Sequence, residues 1–181
     1  MRGLVQWPLA FAASLVVACF AVTSHTLAEG EIPNLKAGET YEFHRFTEGT
    51  NKPIHLGDGR GEIEDIPAKY LDPDVPFSYG WKFNLQELPQ AGLLFVSIYS
   101  LVEKYRYDCP TVVKLNGKQI HDLRQEPYGS HRTTNAEISL KKENFQVGEN
   151  KIEIVEESCR DLRSQGARND SLVYAVRLQL F

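Results

Sequence analysis

The sequence predicts an all-β fold, an antiparallel β-sandwich, and three features carry that prediction. Asn116-Gly117 sits between the alternating runs Val112-Val113-Lys114-Leu115 and Lys118-Gln119-Ile120. Asn-Gly in that setting favours a two-residue type I′ turn, because both central residues must take positive φ. A second turn, Gly148-Glu149-Asn150, leads straight into Lys151-Ile152-Glu153-Ile154, which again has the two-residue period of a strand. Finally, Leu93 to Tyr99 is apolar on both faces, as in a central strand covered on both sides, and no segment of helical period competes.

Alternation and turn residues place strands at about 40–46, 78–85, 92–101, 111–115, 118–121, 136–140, 150–158 and 171–181. In the second of these, Phe77, Tyr79, Trp81, Phe83 and Leu85 share one face, so Trp81 is expected in the core rather than on a binding surface. In the last, Leu172, Tyr174, Val176, Leu178 and Leu180 form a single core face. The segment from Thr47 to Phe77 is rich in Gly, Pro and acids, with a short extra strand expected near Gly61–Ile66; connections of this length are usually functional or poorly ordered. No internal repeat or low-complexity tract calls for a second domain.

Many short strands, regular turns and one buried central strand point to a jelly roll. Leu115-Asn116-Gly117-Lys118, then Val147-Gly148-Glu149-Asn150-Lys151-Ile152-Glu153-Ile154, then a closing Tyr174-Ala175-Val176-Arg177-Leu178 resemble the galactose-binding-like jelly-roll superfamily over roughly residues 92–181. The resemblance implies a sandwich used as a carbohydrate-binding module or as an accessory domain of extracellular enzymes, commonly with a structural calcium. Fold alone does not name the ligand.

The N-terminus has a secretory layout: Arg2, an apolar run from Leu9 to Val22, and a polar stretch ending at Thr26-Leu27-Ala28. Cleavage after Ala28 is expected, leaving residues 29–181 as one exported domain with no integral membrane span. A competing reading takes Val16-Val17-Ala18-Cys19 as a lipobox, making the chain a lipoprotein anchored through Cys19. Either way the destination is the periplasm, the cell surface or the exterior. The formal charge is −4, and the leader contributes only the base Arg2, so the mature chain is more acidic still; this disfavours nucleic acid as a partner. Cys109 and Cys159 are the only cysteines beyond the leader, and in an oxidising compartment they are expected to form one disulfide. Closing a loop of about 50 residues would contribute about 4 kcal/mol.

Strand directions bring the loops 103–109, 122–135 and 159–170 to one rim, together with both cysteines. That rim is basic and aromatic in an acidic chain: Tyr105, Tyr107, Arg124, Tyr128, His131, Arg132, Arg160 and Arg163 are the candidate ligand-binding residues. Arg offers planar donor pairs that match carboxylates, sulfates and sugar hydroxyls, and Tyr a flat face with a polar tip. Asp58, Glu62, Glu64, Asp65, Asp72 and Asp74 could supply oxygen ligands to calcium, although their spacing matches no defined calcium loop and a solvated acidic loop is the plainer reading. No nucleophile elbow, His-Glu-x-x-His helix or phosphate loop occurs, and Glu156 and Glu157 point to opposite faces of a strand, so no catalytic residues are assigned. The expected function is that of an exported, noncatalytic module binding a glycan or cell-envelope polymer. The alternative is a periplasmic or cell-surface interaction subunit whose rim contacts an acidic partner.

Overall fold

The structure is a computed structural model that describes residues 24–26, 32–57, 76–101, 110–123, 132–158 and 170–181. These residues form the strands β1 (Ser24–Thr26), β2 (Asn34–Leu35), β3 (Thr40–Arg45), β4 (Ile54–Leu56), β5 (Ser78–Leu85), β6 (Ala91–Leu101), β7 (Thr111–Leu115), β8 (Lys118–Asp122), β9 (Arg132–Lys141), β10 (Gly148–Glu156) and β11 (Asp170–Leu180). One sheet runs β1-β3-β11-β6-β9, with β4 also paired to β11; the other runs β2-β5-β10-β7-β8. Counting only β3 and β5 to β11, the orders are 1-8-3-6 and 2-7-4-5, the jelly-roll arrangement. The expected all-β sandwich is therefore the fold.

Between the sheets lie Phe83, Leu94, Val96, Ile98, Val113, Leu115, Ile152, Ile154, Val176, Leu178 and Leu180, all essentially removed from solvent. Central strand β6 contributes Leu94, Val96 and Ile98 to this layer. On its outward face two residues meet side chains of the same sheet: the Arg177 guanidinium lies 5.1 Å above the Phe95 ring, and Tyr99 stacks on Tyr174.

Two expectations need correction. The first is the C-terminal strand. Val173 lies opposite Ile98 and Ala175 opposite Ser97, so Tyr174 is an extra residue in β11, a β-bulge. The bulge shifts the alternation by one, so Val173 joins the core with Val176, Leu178 and Leu180. Tyr174 turns to the outer face instead, between Phe46 at 5.4 Å and Tyr99 at 6.3 Å, and Leu172, although buried, belongs to the outward side opposite Tyr99. The second is the turn at Gly148, which does not join a hairpin. β9 pairs with β6 in one sheet and β10 lies between β5 and β7 in the other, so the chain crosses the sandwich through a short 3-10 turn at Lys142–Asn144. Phe145 is buried in this crossing and fills the space above Gly92, where an added Cβ would come within 2.9 Å of the ring.

The remaining differences are local. β9 begins at Arg132 rather than 136, and the short strands β2 and β4 carry too few residues to show a period. The expected strand at Gly61–Ile66 lies outside the described residues. Ser24–Thr26, within the segment expected to be cleaved, pairs in parallel with Thr40–Glu42 of β3.

The Asn-Gly turn has the expected form, with φ of 54° at Asn116 and 77° at Gly117. Asn116 also ties this turn to the crossing. Its Nδ2 donates to Asn150 Oδ1 at 2.8 Å and to the Asn144 carbonyl at 3.2 Å, while its Oδ1 accepts from the Lys151 N–H at 2.9 Å. Asn150, itself buried, accepts from the Gln146 N–H and donates to the Gln146 and Gly148 carbonyls. Removing the Asn116 side chain leaves Asn150 Oδ1 with the Gln146 N–H alone, loses the exposed bonds to Lys151 and Asn144, and places an alanine at positive φ, so Asn116→Ala should destabilise by about 1–2 kcal/mol in urea unfolding. Asn116→Gly, which relieves the backbone cost alone, should lose less.

Candidate functional site at the loop end of the sandwich

Register places one end of every long strand at the same end of the molecule. Leu101 pairs with Asp170, Ser100 with Arg132, Thr111 with Glu156, Val112 with Asp122, Val155 with Ser78, and Leu56 with Ser171. The connections between β4 and β5, β6 and β7, β8 and β9, and β10 and β11 therefore all leave from and return to this loop end. The sequence-derived rim corresponds to it, with the β4–β5 connection as a fourth contributor. Arg132 begins β9 here. Tyr105, Tyr107, Arg124, Tyr128, His131, Arg160 and Arg163 lie outside the described residues, as do Cys109 and Cys159 and the acidic run from Asp58 to Asp74.

Beneath the loops is a buried polar cluster that joins the two sheets. Glu156, at the end of β10, is 1% exposed and shares the inner face with Ile152 and Ile154. The Ser171 hydroxyl of β11 donates to Glu156 Oε1, and the Thr111 hydroxyl of β7 donates to Oε1 at 3.0 Å and Oε2 at 2.8 Å. Next to Ser171, Asp170 is 2% exposed, and its Oδ1 lies 3.2 Å from His55 Nε2 of β4. Four strands from both sheets are thus fastened where the loops begin. Glu157, on the opposite face from Glu156 as alternation requires, pairs with Lys114 at 3.0 Å.

Burial pushes the Glu156 carboxyl up to about 8, against the opposing effect of the two hydroxyl hydrogen bonds and with a further push from the Asp170 charge. At neutral pH it is mostly protonated, which lowers the cost of keeping a carboxyl in the core. Among the described residues, no group of three or more His, Cys, Asp or Glu is arranged to hold a metal ion.

The second feature of this end is aromatic. Along β5, Leu85 and Phe83 are buried in the core, Trp81 packs half-buried against it, Tyr79 is 37% exposed and Phe77 is 48% exposed. The Tyr79 and Trp81 rings meet at 5.1 Å, tilted by 56°. One apolar strand face thus climbs from the core to the surface as it nears the loops. The edge beside it is closed by β2 only at Asn84 and Leu85. Trp81 serves the core as expected, while Tyr79 and Phe77, further along the same face, are exposed. Alternation identifies the face but not where its cover ends. Glu156, by contrast, could have been read as a carboxylate on an apolar face, since it follows Ile152 and Ile154 at the same two-residue spacing.

No protein-family model matches the chain, and no curated protein does. Among solved structures, it is similar to the insecticidal delta-endotoxin Cry8Ea1 of Bacillus thuringiensis, at 11% identity and TM-score 0.44 over 83% of this chain and 25% of that one. It is also similar to the CBM36-1 domain of a multidomain xylanase from the hindgut metagenome of Trinervitermes trinervoides, at 12% identity and TM-score 0.39 over 56% and 68%. A third is the carbohydrate-binding module CBM36 in complex with calcium and xylotriose, at 8% identity and TM-score 0.37 over 70% and 98%.

The raised Glu156 value fixes a pH response. The folded chain keeps this proton where the unfolded chain, near the ordinary value of 4.5, has lost it. The resulting stabilisation is complete below pH 4.5, declines between 4.5 and about 8, and is absent above that. Glu156→Gln keeps an acceptor for Ser171 and Thr111 but cannot ionise. Thermal melts of the wild type should therefore fall from pH 5 to pH 9 while those of the variant stay flatter, leaving the variant the more stable at pH 9.

Proposed function

We propose that this protein is an exported, noncatalytic module that binds a carbohydrate or cell-envelope polymer at the loop end. The observation that carries the reading is the exposed aromatic face of Tyr79 and Phe77 beside half-buried Trp81. A sugar ring presents an apolar face edged by hydroxyls, which a flat aromatic with a polar tip complements. The rim residues Tyr105, Tyr107, Arg124, Tyr128, His131, Arg132, Arg160 and Arg163 supply the planar donors for hydroxyl or anionic groups. Support for a noncatalytic role comes from Ser171: although adjacent to the His55–Asp170 pair, it is fully buried with its hydroxyl on Glu156, closed to a substrate.

The same proposal includes a Cys109–Cys159 bridge. The Glu157 N–H donates to the Pro110 carbonyl at 2.9 Å, so the chain close to each cysteine runs side by side. Alkylation of the native exported protein with and without reductant, read by mass, should show two thiols only after reduction. Two freely alkylated thiols would remove the bridge.

A glycan array on the purified domain, followed by titration calorimetry with the selected glycan, tests the function. Tyr79→Ala should cost about 1–2 kcal/mol of affinity, roughly five- to thirtyfold, with little change in melting temperature. Changing Arg160 and Arg163 together to Ala should cost about 2–4 kcal/mol when those contacts are desolvated. Trp81→Ala should lower stability before it lowers affinity. Wild-type affinity in both of the first two variants would take binding away from this end.

A further inference from the structure

We infer that export processing cuts this chain between Ala18 and Cys19, that Cys19 carries a lipid anchor, and that the anchor holds the domain with its loop end facing away from the membrane. The inference requires export but not glycan binding.

The first observation is β1. Ser24, His25 and Thr26 pair in parallel with Thr40, Tyr41 and Glu42, closing the outer edge of β3. A cut after Ala28 would discard this strand and leave the edge of β3 open to pairing with other chains, a liability that native sheets are built to avoid. A cut upstream of Ser24 keeps it. The second observation is in the sequence: Val16-Val17-Ala18-Cys19 closes the apolar run with an aliphatic residue three positions before a cysteine and a small residue immediately before it. With Cys109 and Cys159 paired as proposed above, Cys19 is the one cysteine left over, which calls for a separate fate.

The chemistry is redox-neutral. The Cys19 sulfur attacks the glyceryl carbon of a diacylglycerophospholipid, the carbon–oxygen bond to phosphate breaks, a thioether forms, and the departing phosphate headgroup takes the thiol proton. Water then hydrolyses the Ala18–Cys19 peptide bond, leaving a carboxylate on Ala18 and an amine on Cys19. The two acyl chains of the diacylglyceryl group bind a bilayer far more firmly than one would.

Strand direction sets the orientation. Because β1 is parallel to β3, Ser24 lies level with Thr40, which is opposite Gln179 near the end of β11. The loop end is where β11 starts, at Asp170. The chain from the lipid therefore enters the sandwich at the end remote from the loops. Five residue steps from Cys19 to Ser24 reach at most roughly 17 Å, so that remote end stays close to the bilayer.

The full-length gene, expressed in a Gram-negative bacterium, provides the test. The N-terminal peptide should begin at Cys19 and carry a diacylglyceryl mass, and the protein should partition into the detergent phase; Cys19→Ser should abolish the lipid mass and that partition. An aqueous-phase protein beginning at Glu29 would overturn the inference. Hydrogen exchange on unlipidated chains beginning at Phe20 and at Glu29 tests the structural half separately. Slower exchange in β3 of the longer chain is expected, and equal exchange would remove the case for keeping β1. Glycan affinity of the chain beginning at Phe20 is a separate readout, so failure of the anchor and failure of the binding site remain distinguishable.

Discussion

The arrangement depends on how β11 is seated. It lies between β6 on one side and β3 and β4 on the other, so three strands take their register from it. The extra residue at Tyr174 allows one strand to satisfy two demands: toward its end it supplies Val176, Leu178 and Leu180 to the core, and at its start it points Ser171 inward to Glu156. A regular strand would place Tyr174 opposite Ile98, where Val173 sits, and turn Ser171 away from the carboxyl. The bulge therefore permits a polar anchorage at one end of an otherwise apolar interior.

Most of the scaffold was legible in the residues because strand period and turn chemistry are local. Asn116-Gly117 specifies its turn by the φ values it tolerates, and β5 and β7 fall at their expected bounds. The features that escaped depend on partners. Nothing near Tyr174 marks a bulge, which exists only relative to β6. The jump between sheets after β9 depends on Phe145 finding space over Gly92. Ile54-His55-Leu56 is too short to show a period and is a strand because β11 offers it an edge.

The loop end combines two opposite treatments of side chains. Polar groups that would ordinarily face water are buried, with Glu156 kept neutral by its surroundings, while aromatic groups that would ordinarily be covered are left outside. Burying the hydrogen-bonded cluster fixes the strand ends from both sheets. For the binding proposed at this end such fastening would be an advantage, because a surface on fixed supports loses less freedom when it binds.

The neighbouring positions of β3 and β11 also bear on time. The sheet containing β3 cannot form its centre until the last strand is present, since β11 separates β3 from β6. Contacts between segments so distant in sequence form slowly, because the intervening chain must be ordered first. A chain lacking β11 thus has one sheet without its middle. If the chain is exported as proposed, this delay favours a transportable, unfolded form while it crosses the membrane.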